Sequence, residues 1–153
     1  MTTGTENIDE GRKRAAGLLA RATVGELDSI WSKLEPKPEV QKVRGPETGL
    51  VMVRGRIGGG GSPFNVGEAT VTRATVKLSS GTVGHAHALG TSRKQAWLAA
   101  ICDALWQEDA TRCVIEDGVL TPVEQRLAEG KSRKAEETAA TRVDFFTMVR
   151  GDD

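Results

Sequence analysis

The residues of this chain whose types and spacing lend themselves to chemistry lie in its middle third. His85 and His87 are one residue apart, so on a strand both imidazoles project from one face, a geometry able to chelate a metal ion. They are the only histidines in 153 residues, and acid–base work near neutral pH would fall to them. A metal site needs a third ligand that the sequence does not name; the alternative is a pair of half-exposed strand histidines. Alternation also places Arg54 with Arg56 on one strand face, and Arg73 with Lys77 on another. Neighbouring strands in suitable register would merge these into a basic stripe able to grip phosphate oxygens. Otherwise they form a solvated face balanced by acidic neighbours such as Glu68. Gly58 to Gly61 resembles a phosphate-cradling loop only superficially. No Lys-Ser or Lys-Thr follows it, Pro63 removes a donor, and the next segment reads as strand, so a hairpin tip or interface loop fits better. No Ser–His–Asp set, catalytic carboxylate pair or Cys-x-x-Cys motif can be argued, and no catalytic residue is assigned.

The elements that must position these groups follow from periodicity. Ile8, Ala15, Leu18, Leu19 and Ala22 fall on one side of a helix, after a first stretch, residues 1–7, whose polarity predicts disorder. Thr23 and Glu26 have capping-box spacing and open a second helix with Leu27, Ile30, Trp31 and Leu34 on its apolar face. Pro36 and Pro38 end it. Strands are predicted at Glu39–Arg44, closed by Gly45–Pro46, then at Thr48–Ile57, Val66–Leu78 and Thr82–Leu89. Short connections make them an antiparallel meander of about four strands. Ser92 and Gln95 open a helix with Trp97, Leu98, Ile101, Cys102, Leu105 and Trp106 on a broad apolar side. Another begins near Pro122 and runs toward Thr141, its later part almost free of apolar residues. The order αα–ββββ–αα predicts an α+β layer fold in one domain, residues 1–153, with two N-terminal helices, a central sheet, C-terminal helices and an apolar docking tail.

Composition narrows the function classes. Lys and Arg number 21 against 21 Asp and Glu, so the net charge is zero and the field expected of a general nucleic-acid binder is missing. No apolar run approaches the ~18 residues that span a bilayer. Cys102 and Cys113, eleven residues apart on one helix or its continuation, would be separated by ~16 Å, too far for a disulfide. These features point to a cytoplasmic chain with reduced thiols. Only 4% of its residues are aromatic, and a partner is one source of the missing burial.

The final residues are unusual for a terminus. Phe145, Phe146, Met148 and Val149 crowd into RVDFFTMVRGDD, and each exposed Phe would forgo ~1.5–3 kcal/mol of burial. The string RVDFFTMVRGD (Arg142 to Asp152) resembles the closing motif of the PhnG family of bacterial carbon–phosphorus lyase subunits. ETGLVMVRGRIGGGG (Glu47 to Gly61) and FNVGEATVTRATVKL (Phe64 to Leu78) are similar to that family's central strands, in the same order. The resemblance implies a hetero-oligomer with PhnH-, PhnI- and PhnJ-type subunits, in which a PhnI-type subunit displaces adenine from MgATP with a phosphonate. The product would be alpha-D-ribose 1-alkylphosphonate 5-triphosphate. It also places an iron–sulfur cluster and S-adenosylmethionine on the PhnJ-type partner, with no cofactor on this chain. A subunit interface through Arg142, Val143, Asp144, Phe145, Phe146, Met148, Val149 and Arg150 is the corresponding expectation.

Overall fold

The computed structural model describes residues 3–58 and 60–141; the tail from Arg142, with its expected interface residues, lies outside them. Helices α1 (Thr3–Leu19) and α2 (Val24–Lys33) precede a sheet of β1 (Val40–Gly55), β2 (Phe64–Leu78) and β3 (Val83–Leu89). Then come α3 (Arg93–Gln107), α4 (Asp109–Ile115), a π-helical turn (Glu116–Leu120) and α5 (Thr121–Ala140). The α+β order is as the periodicity predicts, but among the described residues the antiparallel sheet has three strands, β1-β2-β3, instead of about four. Gly45–Pro46 does not close a strand. It sits in a bulge inside one 16-residue strand, where Gly45 has φ 66° and a Cβ would come within 2.7 Å of Arg73 O. Helix α1 also begins at Thr3, ahead of the sequence-based start near Ile8.

All the helices that pack on the sheet lie on one side of it, and α3 is the centre of the core. Its Ala96, Leu98, Ala99, Ile101, Cys102, Ala104 and Leu105 are buried beneath Ala74, Val76, Ala86 and Ala88 of the sheet. Small residues let the two backbones approach closely. A Cβ at Gly84 would overlap Ala100 O and lie 2.7 Å from Ala104 N, so the contact tolerates only glycine there. Ala15, Leu18, Leu19 and Ala22 of the first helical segment, with Leu27 and Ile30 of α2, close the other side of α3.

The caps show how local signals became tertiary ones. Thr23 and Glu26 form the full capping box, and Glu26 also accepts from Arg126 of α5 at 2.8 Å. Its carboxyl is thereby held below the ordinary value of 4.5, chiefly by the Arg126 hydrogen bond. Ser92 accepts from Gln95 N–H, but the Gln95 side chain reaches away to donate to Ala22 O at 2.8 Å. Half of that capping box has been exchanged for a tie between α3 and the end of the α1 segment.

A buried carboxylate completes the junction. Asp103 of α3, 1% exposed, accepts from the Arg12 guanidinium at 2.9 Å, from the His85 backbone N–H at 2.9 Å and from Gln107 Nε2 at 3.3 Å. Replacing it by alanine leaves the His85 N–H without its acceptor and removes the partner of Arg12, whose side chain is 37% exposed, while Gln107 keeps the carbonyl of Val83 at 2.8 Å. Asp103→Ala should lower unfolding free energy by ~1–3 kcal/mol, and Asp103→Asn by less, because Asn still accepts from His85 N–H. Urea melts of the three proteins check this; an unchanged midpoint for the alanine variant would refute it.

Candidate functional site

The uncovered face of the sheet gathers part of the sequence-based candidate set. Inner positions Thr72, Ala74, Val76 and Leu78 of β2 are buried, so Val71, Arg73, Thr75 and Lys77 point outward by alternation. Strand pairing sets His87 opposite Arg73 and His85 opposite Thr75, while β1 sets Glu47 opposite Arg73 and Gln41 opposite Lys77. A shallow cavity of about 360 Å³ lies here, with Glu47, Gly49, Val51, Val71, Arg73 and His87 among its walls.

The basic stripe does not form. Arg54 lies opposite Asn65, eight residues along β2 from Arg73, a separation of ~26 Å at strand rise. The hairpin turn puts Arg54 and Arg56 at its distal end, whereas Arg73 and Lys77 lie on the half of β2 backed by α3. Arg73 is also paired: Glu47 accepts from its Nε at 2.7 Å and shares the same carboxylate oxygen with Arg44 at 3.0 Å. The balancing carboxylate is therefore Glu47 rather than Glu68. The Arg73 hydrogen bond, then the charges of Arg73 and Arg44, hold the Glu47 carboxyl below its ordinary 4.5.

The histidines do share an outward face, as alternation requires. His85 Nδ1 is 3.1 Å from the Thr75 hydroxyl, and Asp103 takes the His85 backbone N–H rather than its ring. A nucleophile–base pair needs a third group orienting the base, and among the described residues no carboxylate bonds either imidazole. Nor is any group of three or more His, Cys, Asp or Glu side chains, among the described residues, placed to hold a metal ion. Cys102 lies beneath the sheet, with its thiol pushed up to about 12 by burial and secondarily by the Asp103 charge; Cys113 is exposed on α4. Both are free thiols, but the helix expected to hold them apart is broken at Glu108, so Cys102 lies on α3 and Cys113 on α4. Gly58, Gly60 and Gly61 lie between two antiparallel strands, β1 and β2, and not between a strand and a helix as in a phosphate loop. Among the described residues no helix is long and apolar enough to cross a membrane.

The residues that organise this region were not singled out by sequence patterns. Glu47, Asp103 and Arg12 have ordinary spacings, and only strand register and helix packing bring them to Arg73 and His85. The chain's wider relationships supply the decisive observation. Residues 10–151 match the family model described as phosphonate metabolism protein PhnG. The chain belongs to the PhnG family. One PhnG relative, from Rhizobium meliloti (strain 1021), is named alpha-D-ribose 1-methylphosphonate 5-triphosphate synthase subunit PhnG. It is 63% identical over 142 residues, which span 93% of this chain and 90% of the relative. A PhnG-family match so extensive includes both the sheet and the helical layer.

The Arg73–Glu47 pair offers a direct check of the outer face. Its contribution exists above the ordinary carboxyl value of 4.5 and is lost as pH falls through the lowered folded value. Arg73→Ala should move the Glu47 titration back up toward 4.5, followed by carboxyl-carbon NMR. A Glu47 titration that does not move would show that the pair is not formed in solution.

Proposed function

We propose that this chain is a required, non-catalytic subunit of a cytoplasmic hetero-oligomeric synthase in phosphonate breakdown, joined by PhnI-, PhnJ- and PhnH-type subunits. The observation that carries the reading is the 63% identity, over 93% of the chain, to a protein named as the PhnG subunit of such a synthase. The outer sheet face agrees with it. Among the described residues no carboxylate orients either histidine as it would a catalytic base, and the best-placed arginine is held by Glu47. On this reading the PhnI-type subunit forms alpha-D-ribose 1-alkylphosphonate 5-triphosphate and adenine from MgATP and a phosphonate. The iron–sulfur cluster and S-adenosylmethionine serve a later step on the PhnJ-type subunit, and this chain binds neither.

The apolar tail supplies a contact in the same reading. Phe145, Phe146, Met148 and Val149, flanked by Arg142, Val143, Asp144 and Arg150, have the apolar character of an anchor that fills a partner's pocket.

The test is reconstitution with the cognate subunits, measuring adenine released from MgATP and methylphosphonate. Omitting this chain should abolish release, whereas His85→Ala with His87→Ala should leave it within about twofold of wild type, since neither ring is assigned chemistry. Full release without the chain would refute the subunit reading; a large loss on replacing the histidines would assign them to the reaction. Phe145→Ala with Phe146→Ala should sharply reduce co-purification, and normal recovery would remove the tail from the interface.

A further inference from the structure

The distal half of the β1–β2 hairpin has no layer behind it. Strand β3 pairs with Val71–Lys77 of β2 and Gly90 N–H adds a bond to Thr70 O, so residues 64–69 pair with β1 alone and form a two-stranded arm. This arm carries Leu50, Val51, Met52, Val53, Ile57, Phe64 and Val66, seven of the ten large hydrophobic side chains exposed among the described residues. Ile57 is 78% exposed and Leu50 65%. Alternation puts Val51 and Val53 on one face and Leu50 and Met52 on the other, and all four are exposed. The apolar surface is therefore two-sided. Arg54 and Arg56 stand at the arm's distal end and make no ion pair among the described residues.

We infer that this arm inserts into another subunit of the synthase, into a groove with apolar walls on both sides and carboxylates where Arg54 and Arg56 arrive. The inference rests on the subunit reading above and names the surface that serves it. Area supports a heterologous partner: seven side chains at these exposures offer on the order of 700 Å², close to the ~800 Å² each partner gives a standard interface. The two-sidedness excludes a simple stack of two copies, because face-to-face stacking covers one side of each ribbon and leaves the other in water. A groove covers both. The Arg54 and Arg56 guanidinium groups, without an ion pair among the described residues, set its chemistry, since a buried or rim arginine is matched by carboxylate. An isolated two-stranded ribbon is marginal in water, so enclosure would also stabilise the arm itself.

The test compares the free chain with the reconstituted complex. Backbone amides of residues 48–55 and 64–69 should exchange hydrogen more slowly on assembly. Val51→Ser with Val53→Ser, and separately Leu50→Ser with Met52→Ser, should each reduce recovery of the complex ~10-fold while circular dichroism of the free chain stays unchanged. Arg54→Glu with Arg56→Glu should weaken assembly as well, through like-charge repulsion. Assembly by the wild type, with unchanged exchange in the arm and normal recovery of both serine variants, would overturn the arm while leaving the subunit reading intact. Failure of the wild type to assemble with any cognate subunit would overturn both. A dimer of the free chain in sedimentation, abolished by the same serine variants, would make the occupant a second copy and overturn the heterologous groove.

Discussion

A carboxylate as buried as that of Asp103, 1% exposed within α3, is tolerable only because three elements bring donors to it. Arg12 comes from α1, the His85 N–H from β3, and Gln107 from one turn further along α3. The geometry is restrictive. Moving β3 by one residue would present a different N–H and reverse which strand residues face the core. Rotating α1 would withdraw the guanidinium and leave the charge poorly compensated. The ion pair is therefore less a source of net stability than a device that makes one arrangement of helix, strand and helix better than its neighbours. The close approach of Gly84 to Ala100 and Ala104 acts with it, because only a small-residue interface lets Asp103 reach the β3 backbone.

That junction fixes which surfaces remain. With the helices that pack on the sheet all on one side, the outer face is solvated and its charges pair across strands, Arg73 with Glu47. Exposed pairs of this kind contribute little to stability and are more sensitive to salt. The core beneath α3 spans β3 and the half of β2 beside it. Beyond Val71 the hairpin continues without a third strand or helical backing, so its hydrophobic side chains stay in water. Helix α5 has a comparable imbalance: Val123 is buried and Leu127 packs at the core margin, while residues 131–140 are exposed throughout. A helix or ribbon that buries so little within its own chain owes its persistence to local hydrogen bonds or to something outside the chain.

The helical layer was legible because local signals coincide with burial. Thr23–Glu26 is both a capping box and the start of an apolar face, and the outcome is a capped helix with Leu27 and Ile30 buried. Alternation likewise told which residues of β2 and β3 share a face. What it could not tell was register or length. Gly45–Pro46 reads locally as a break, yet the Gly45 conformation lets a bulge absorb it and the strand continues. Hence two expected strands are one. The same limit dissolved the basic stripe: Arg54, Arg56, Arg73 and Lys77 share a periodicity, but the hairpin's length separates their pairs. Glu47 and Asp103 escaped notice because a carboxylate's partners are set by tertiary packing, and single-residue spacing carries no trace of it.

Alternation fails on the arm in a more informative way. A strand with apolar residues on one face and polar ones on the other is written for a single covering layer. Leu50–Val51–Met52–Val53 is apolar on both faces, a pattern that belongs to a strand buried on both sides. The fold instead leaves those four residues exposed and places the centre of its helical layer, α3, elsewhere. Sequence and isolated fold therefore disagree at this one element, whereas they agree at α2, α3 and the paired core of β2 and β3. A minimally frustrated chain has no reason to carry such a conflict unless its native environment includes more than itself. On the subunit reading the disagreement disappears: the strand is two-sided because its partner is.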